Sequence, residues 1–82
     1  MVFLNQGITL INQGKAAEAM PIFNKVVEAF PTDAEGYYYR GRAELATGKF
    51  PDAKADLQKF VGTPGADAAQ VEQAKKILEQ LK

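Results

Sequence analysis

The sequence predicts an all-α fold of helical hairpins, because its pattern of residues recurs at a period of 34. Glycines, alanines and large apolar residues align when the chain is shifted by that distance. The aligned pairs are Phe3 with Tyr37, Gly7 with Gly41, Gly14 with Gly48, Ala19 with Ala53 and Phe23 with Leu57. Apolar residues follow helical spacing on both sides of the second glycine, and no segment alternates with a period of two. Each unit is therefore interpreted as two helices joined by a tight turn.

Turn and break residues divide the chain into five antiparallel helices. Gly14 and Gly48 mark the turns within the two hairpins, since glycine tolerates the left-handed conformation. Pro31 ends the second helix, and the Gly-Thr-Pro-Gly segment 62–65 separates the fourth helix from the fifth. Pro21 falls about one turn inside the second helix, where we expect at most a bend. The predicted helices span residues 2–13, 16–30, 33–47, 51–61 and 67–81.

Polar residues and a proline predict where three of these helices begin. The segment Thr32-Asp33-Ala34-Glu35 has the pattern of a capping box before the third helix. Asp67 provides a similar start for the fifth helix. Pro51 suits the first position of the fourth helix, because a backbone N–H at that position would have no hydrogen-bond partner within the helix.

The composition excludes several kinds of site. The chain has no cysteine, histidine or serine, which removes disulfides, thiolate or imidazole metal sites and histidine-based catalytic pairs. Ten basic residues balance ten acidic ones, whereas a sequence-independent nucleic-acid binder needs surplus positive charge. No apolar run approaches the ~18 residues of a membrane span, and the N-terminus lacks the basic region of a signal peptide. We therefore expect no metal, cofactor, nucleic acid or membrane insertion. The compartment stays unknown, with the cytoplasm as the default expectation.

The acidic residues give no sign of a catalytic site. We interpret them as helix caps and solvated helix faces, because no two of them are forced together on a concave surface. The residues interpreted in this way are Glu18, Glu28, Glu35, Asp52, Asp56 and Glu72. An enzyme is therefore not expected.

The spacing of the repeated residues resembles the tetratricopeptide repeat, a helix–turn–helix unit of 34 residues. The matching positions are Phe3, Gly7, Gly14, Ala19, Phe23 and Pro31 in the first unit, and Tyr37, Gly41, Gly48, Phe50, Ala53 and Leu57 in the second. Gln6, Leu10, Arg40 and Glu44 depart from the family's usual residues. The resemblance implies an α–α superhelix in a single domain, with repeats at about 1–32 and 33–66 and a capping helix at about 67–82.

The small and large residues of the pattern predict how the helices pack. Gly7 and Gly41 permit close approach of the helices, and larger residues such as Phe3, Phe23 and Tyr37 fill the remaining space. The fifth helix carries an apolar stripe that would cover the second repeat. That stripe consists of Ala68, Val71, Ala74, Leu78 and Leu81.

The N-terminal face of the first repeat is predicted to be polar. Asn5, Thr9 and Asn12 correspond in the second unit to Tyr39, Ala43 and Ala46. The second set would pack against the preceding hairpin, whereas the first set would face water. We therefore expect residue 1 to lie near the start of the array.

Members of this family line a concave groove with the first helix of each hairpin, and segments of other proteins lie in it. The groove residues implied by the resemblance are Leu4, Ile8 and Ile11 in the first helix and Tyr38, Arg42 and Leu45 in the third. Two of the rings of Tyr37-Tyr38-Tyr39 are expected between helices, with Tyr38 as the groove candidate. The apolar Leu4 and Ile8 disfavour a clamp for a terminal carboxylate and favour an apolar or amphipathic ligand.

The predicted function is a protein–protein interaction module, a scaffold or adaptor that binds a peptide segment in this groove. The alternative is a structural module that forms homo-oligomers through the same apolar face. A third interpretation is that the groove residues are ordinary core covered by the last helix. Arg42 and Arg40 would pair with a partner's carboxylate or, equally well, with the nearby Glu35 or Glu44.

Overall fold

The computed structural model describes the backbone of residues 2–81 and the side chains of residues 3–81, so Met1 and Lys82, the predicted domain ends, lie outside it. Five helices form: α1 (Val2–Asn12), α2 (Ala16–Ala29), α3 (Ala34–Ala46), α4 (Phe50–Val61) and α5 (Ala68–Gln80). Each boundary lies within one residue of its predicted position. Residues 2–81 contain no strand, which confirms the all-α class.

The turns inside the two hairpins have the same geometry. Gly14 and Gly48 adopt φ of +76° and +80°, a left-handed conformation in which a side chain would be strained. In the first turn the Lys15 N–H donates to the Leu10 carbonyl at 2.8 Å, and in the second the Lys49 N–H donates to the Glu44 carbonyl at 2.8 Å. These bonds satisfy carbonyls that the helix ends would otherwise leave unpaired. The backbone thus repeats at the predicted period.

A glycine on the first helix of each hairpin allows close packing against the second helix. A Cβ on Gly7 would lie 2.5 Å from Cε1 of the Phe23 ring. The equivalent Cβ on Gly41 would lie 2.9 Å from Cγ of Leu57. Phe23 and Leu57 are fully buried, so each fills the space that its glycine leaves open. The structure therefore supports the predicted packing role of both glycines.

The cap of α3 is Asp33, one residue after the Thr32 that the predicted capping box requires, and it accepts a hydrogen bond from the Glu35 N–H at 3.0 Å. Asp67 caps α5 as predicted, by accepting a hydrogen bond from the Gln70 N–H at 3.0 Å. Helix α2 continues through Pro21 without interruption. Pro51 lies in the first turn of α4, which begins one residue earlier at Phe50.

Consecutive helices pack against each other along the chain, and α1 also contacts α3. A first core cluster joins α1, α2 and α3 around Phe23, and a second joins α3, α4 and α5 around Phe60. Tyr39 packs against both clusters, and its ring stacks on Phe23 with centroids 6.1 Å apart. Between α2 and α3, the lack of a side chain at Gly36 leaves room for Val26 and Val27. The two hairpins therefore share one continuous core.

The predictions for the outer faces are confirmed in part. Asn5, Thr9 and Asn12 are exposed, and Tyr39 and Ala43 pack against the first hairpin. Ala46 was expected to pack there too, but it is exposed because it lies at the last residue of α3, beyond the contact with α2. On α5, Ala74 is fully buried while Ala68 is exposed, because Ala68 is the first residue of its helix.

Phe3 does not fill the space between helices as predicted. Its side chain is 57% exposed, whereas that of its repeat equivalent Tyr37 is 7% exposed. The loop before α3 covers Tyr37, whose hydroxyl donates to the Pro31 carbonyl at 2.6 Å. Residues at the same repeat position therefore differ in burial within residues 3–81.

Candidate functional site

Helices α1 and α3 present a shared surface built from equivalent positions of the two repeats. We call it the α1/α3 face and define it by the half-exposed residues Ile8, Ile11, Arg42 and Leu45. Ile8 and Ile11 pack at the edge of the first core cluster, which also holds Ala43 of α3. Leu45 is half-buried but belongs to neither core cluster. The face therefore combines three aliphatic side chains with one cation.

Two of the six predicted groove residues lie beneath this face. Leu4 is 5% exposed within the first core cluster, and Tyr38 is 5% exposed in the second. The Tyr38 ring packs against Phe60 with centroids 4.9 Å apart, and its edge meets Tyr39 at 5.1 Å. Among the three consecutive tyrosines, Tyr39 is the most exposed to solvent, whereas the sequence predicts Tyr38. That Leu4 and Tyr38 contact a partner stays a prediction.

Arg42 is held on the surface by aromatic rings. Its guanidinium carbon lies 5.7 Å from the centroid of Tyr38 and 5.8 Å from that of Tyr39. Such cation–π contacts stabilise a guanidinium without neutralising its charge. Within residues 3–81 no carboxylate forms an ion pair with Arg42, so the predicted pairing with Glu35 or Glu44 does not occur. The cation is available to a ligand on the α1/α3 face.

Arg40 forms an ion pair with Asp56, a buried carboxylate of α4. Its Nε and Nη2 each donate to an oxygen of Asp56 at 2.7 Å, a two-pronged ion pair. Asp56 is 7% exposed, so its interpretation as a solvated helix residue was wrong. The expectation that Arg40 pairs with Glu35 or Glu44 was also wrong, because Asp56 projects from α4 into reach of its guanidinium. This ion pair raises the pKa of Arg40 above its usual value.

Glu44 completes a buried charged cluster with Arg40 and Asp56. Its side chain is 6% exposed, and its Oε1 has no hydrogen-bond partner among the described residues. Burial, followed by contact with the Asp56 carboxyl, raises the pKa of Glu44 to about 8. The signal in the sequence was the departure of Arg40 and Glu44 from the apolar residues usual at their repeat positions. The sequence did not reveal that Asp56 joins them.

A second surface feature lies between α1 and α2 and was not predicted. This α1/α2 groove has a volume of about 560 Å³ and is lined by Asn5, Gln6, Thr9, Leu10 and Ile22. Gln6, Leu10 and Ile22 are the repeat equivalents of Arg40, Glu44 and Asp56. The same three positions thus form an open, mostly neutral groove in the first hairpin and a closed charged cluster in the second.

Comparisons with known proteins match the repeat pattern. Residues 1–33, which contain α1 and α2, match a family model described as tetratricopeptide repeat. The peptidyl-prolyl cis-trans isomerase PASTICCINO1 of Arabidopsis thaliana is 34% identical over 61 residues, which is 74% of this chain and 10% of that protein. The chain therefore spans about a tenth of the length of this curated relative. No solved structure gives a significant match.

Repeats of this kind build extended surfaces for binding other proteins, so the match indicates a protein–protein interaction module. In the part of the chain that the structure describes, no helix has the length and apolar character needed to cross a membrane.

Proposed function

We propose that this chain, which belongs to the tetratricopeptide repeat family, binds an apolar or amphipathic segment of another protein on the α1/α3 face. The observation that carries the proposal is that Ile8, Ile11 and Leu45 stay half-buried at the predicted groove positions of the two repeats, with Leu45 the repeat equivalent of Ile11. Aliphatic side chains gathered on one surface favour association with an apolar ligand. Buried Leu4 and Tyr38 would support the face from below.

The ligand would combine apolar side chains with a negative group. Arg42 belongs to the same face and forms no ion pair with a carboxylate within residues 3–81, so an acidic residue of the ligand would find a partner there. A helical segment with apolar residues on one side would suit this arrangement. The domain that offers the face would comprise a repeat at 1–32, a repeat at 33–66 and a capping helix at 67–82.

We also propose that the chain has no catalytic activity and does not bind nucleic acid. Repeats of this family are typically non-catalytic. The likeness to an isomerase covers a tenth of that protein and so does not carry its activity over. The equal numbers of basic and acidic residues supply no surplus positive charge for a phosphate backbone.

The proposal is tested by selecting binders from a displayed library of random peptides and measuring their affinity for single variants. Ile8→Asp and Ile11→Asp should each weaken the best peptide at least about tenfold, which corresponds to ~1.4 kcal/mol. Ile22→Asp is the matched control, because Ile22 is another half-exposed isoleucine but lines the α1/α2 groove. Circular dichroism checks that each variant keeps its helical content. If Ile22→Asp abolished binding and Ile8→Asp did not, the binding surface would be the α1/α2 groove.

Self-association is the second candidate, through the same α1/α3 face. Outside that face, Phe3, Phe30 and Phe50 are each about half exposed and would add apolar area to such a contact. Sedimentation equilibrium over a hundredfold concentration range distinguishes the two candidates. A constant mass of 8.9 kDa would favour a ligand from another protein. A dimer that dissociates on dilution, and that Ile8→Asp abolishes, would favour self-association.

A further inference from the structure

The buried cluster of Arg40, Glu44 and Asp56 places two carboxyl groups beside one guanidinium. Arg40 directs its Nε and Nη2 to the two oxygens of Asp56, and its Nη1 reaches Oδ1 of Asn24 on α2 at 3.5 Å. No hydrogen bond joins Arg40 to Glu44 in the described residues, although both lie on α3. The guanidinium therefore directs its hydrogen bonds to Asp56 and Asn24, and it acts on Glu44 only through its charge.

The surroundings of Glu44 disfavour a second negative charge. Helix α4 turns Asp56 and Asp52 toward it, α2 contributes the uncharged Asn24 to the cluster, and α3 itself contributes Arg40. Glu44 is 6% exposed, and its Oε1 lacks a hydrogen-bond partner. An ionised carboxylate in such a place loses its hydration without full compensation. A protonated carboxyl group avoids that cost and can donate a hydrogen bond.

We propose that Glu44 keeps its proton at neutral pH and donates a hydrogen bond to the Asp56 carboxylate, and that loss of this proton loosens the packing of α3 against α4. A carboxylate offers about four lone-pair sites, so Asp56 can accept from Glu44 as well as from Arg40. The cluster then carries one negative and one positive charge. Once Glu44 ionises, two adjacent carboxylates face a single guanidinium in a site that excludes water.

The effect on stability has a defined sign. The pKa of Glu44 is about 8 in the folded chain, raised first by burial, and close to 4.5 when the residue is hydrated. Because the folded pKa is the higher one, the unfolded chain binds fewer protons between these two values. The stabilisation of the folded state by protonated Glu44 is therefore complete below about pH 4.5 and is lost as the pH rises toward 8. This makes the second hairpin responsive to pH.

The first test measures the unfolding equilibrium constant by urea titration between pH 5 and 9. In the native sequence this constant should rise with pH by up to about tenfold per unit below pH 8, because one proton is released on unfolding. Glu44→Gln should remove that rise, since its amide can still donate to Asp56 and does not ionise. Glu72→Gln, at an exposed glutamate of α5, is the matched control and should leave the rise unchanged. A Glu44→Gln variant with the same pH slope as the native chain would overturn the proposal.

A second measurement decides the question if Glu44→Gln does not fold. The carboxyl carbon of Glu44 is followed by nuclear magnetic resonance in the native chain labelled with ¹³C, with its signal assigned through the backbone. The proposal expects this signal to titrate near pH 8, far above the value of about 4.5 for a hydrated glutamate. A titration midpoint near pH 4.5 would refute it. These outcomes leave the binding role of the α1/α3 face untouched, because none of its four residues is altered.

Discussion

The two-pronged ion pair between Arg40 and Asp56 ties α3 to α4 at positions where the first hairpin has Gln6 and Ile22. Both hydrogen bonds measure 2.7 Å, and the carboxylate side chain retains only 10% exposure. The repeat equivalents in the first hairpin need no such pair, because one is a neutral amide and the other an alkyl group. The same repeat positions thus hold an ion pair in the second hairpin and line an open groove in the first.

Arg40→Gln should destabilise the fold by about 2–3 kcal/mol at neutral pH, because it leaves the buried Asp56 carboxylate without its cation. The loss should fall below that of a completely buried pair, since the Arg40 side chain remains 23% exposed. Urea unfolding at pH 7 provides the measurement. A change below about 0.5 kcal/mol would show that solvent replaces the guanidinium, as it does for surface ion pairs.

The triple variant Arg40→Gln, Glu44→Leu and Asp56→Ile should restore the stability that Arg40→Gln alone removes. It places the residues of the first hairpin at the equivalent positions of the second. Replacing a buried charged network by apolar groups of similar volume is commonly neutral or stabilising. Its unfolding free energy should also lack the dependence on pH expected of the native chain. A triple variant less stable than Arg40→Gln would mean that the second hairpin cannot accept the packing of the first.

Gly7→Ala should destabilise the fold more than Gly41→Ala, although both glycines have the same repeat position. The added methyl at residue 7 meets the rigid ring of Phe23 at 2.5 Å, whereas at residue 41 it meets the flexible Leu57 at 2.9 Å. Overpacking of this kind costs about 1–3 kcal/mol, which exceeds the ~1 kcal/mol gained in helix propensity. Thermal unfolding of the two variants provides the comparison. Equal losses would show that the Phe23 ring moves aside as readily as a leucine.

Leu4→Ala and Ile8→Ala should separate the core from the proposed binding face. Leu4 is 5% exposed, so its truncation should cost about 2–4 kcal/mol of stability. Ile8 is half-exposed, and its truncation should cost about 1 kcal/mol while weakening a bound peptide. Unfolding and binding are measured on the same samples. If the Leu4→Ala variant kept native stability, the Leu4 side chain would belong to the α1/α3 face and not to the core.

The helices and their order were predictable because local chemistry specifies them. Gly14 and Gly48 take the left-handed conformation that glycine favours, and Asp33 and Asp67 cap their helices. Less of the candidate face was predictable from the sequence. The exposure of Leu4 and Tyr38 depends on how closely α1 approaches α3 and on how Phe60 packs, and the helical spacing of residues specifies neither of these.

The sequence by itself determined the five helices, the 34-residue repeat and the likeness of residues 1–33 to a tetratricopeptide repeat, because turns, caps and apolar spacing act over a few neighbouring residues. Only the tertiary structure decided that Asp56 is buried beside Arg40, that the buried Glu44 has an Oε1 without a hydrogen-bond partner among the described residues, and that Phe3 is exposed where Tyr37 is buried. These outcomes depend on side chains from different helices or loops meeting in space. Residues with the same repeat position can therefore have opposite environments, since each environment is set by the side chains of other elements that pack against the residue.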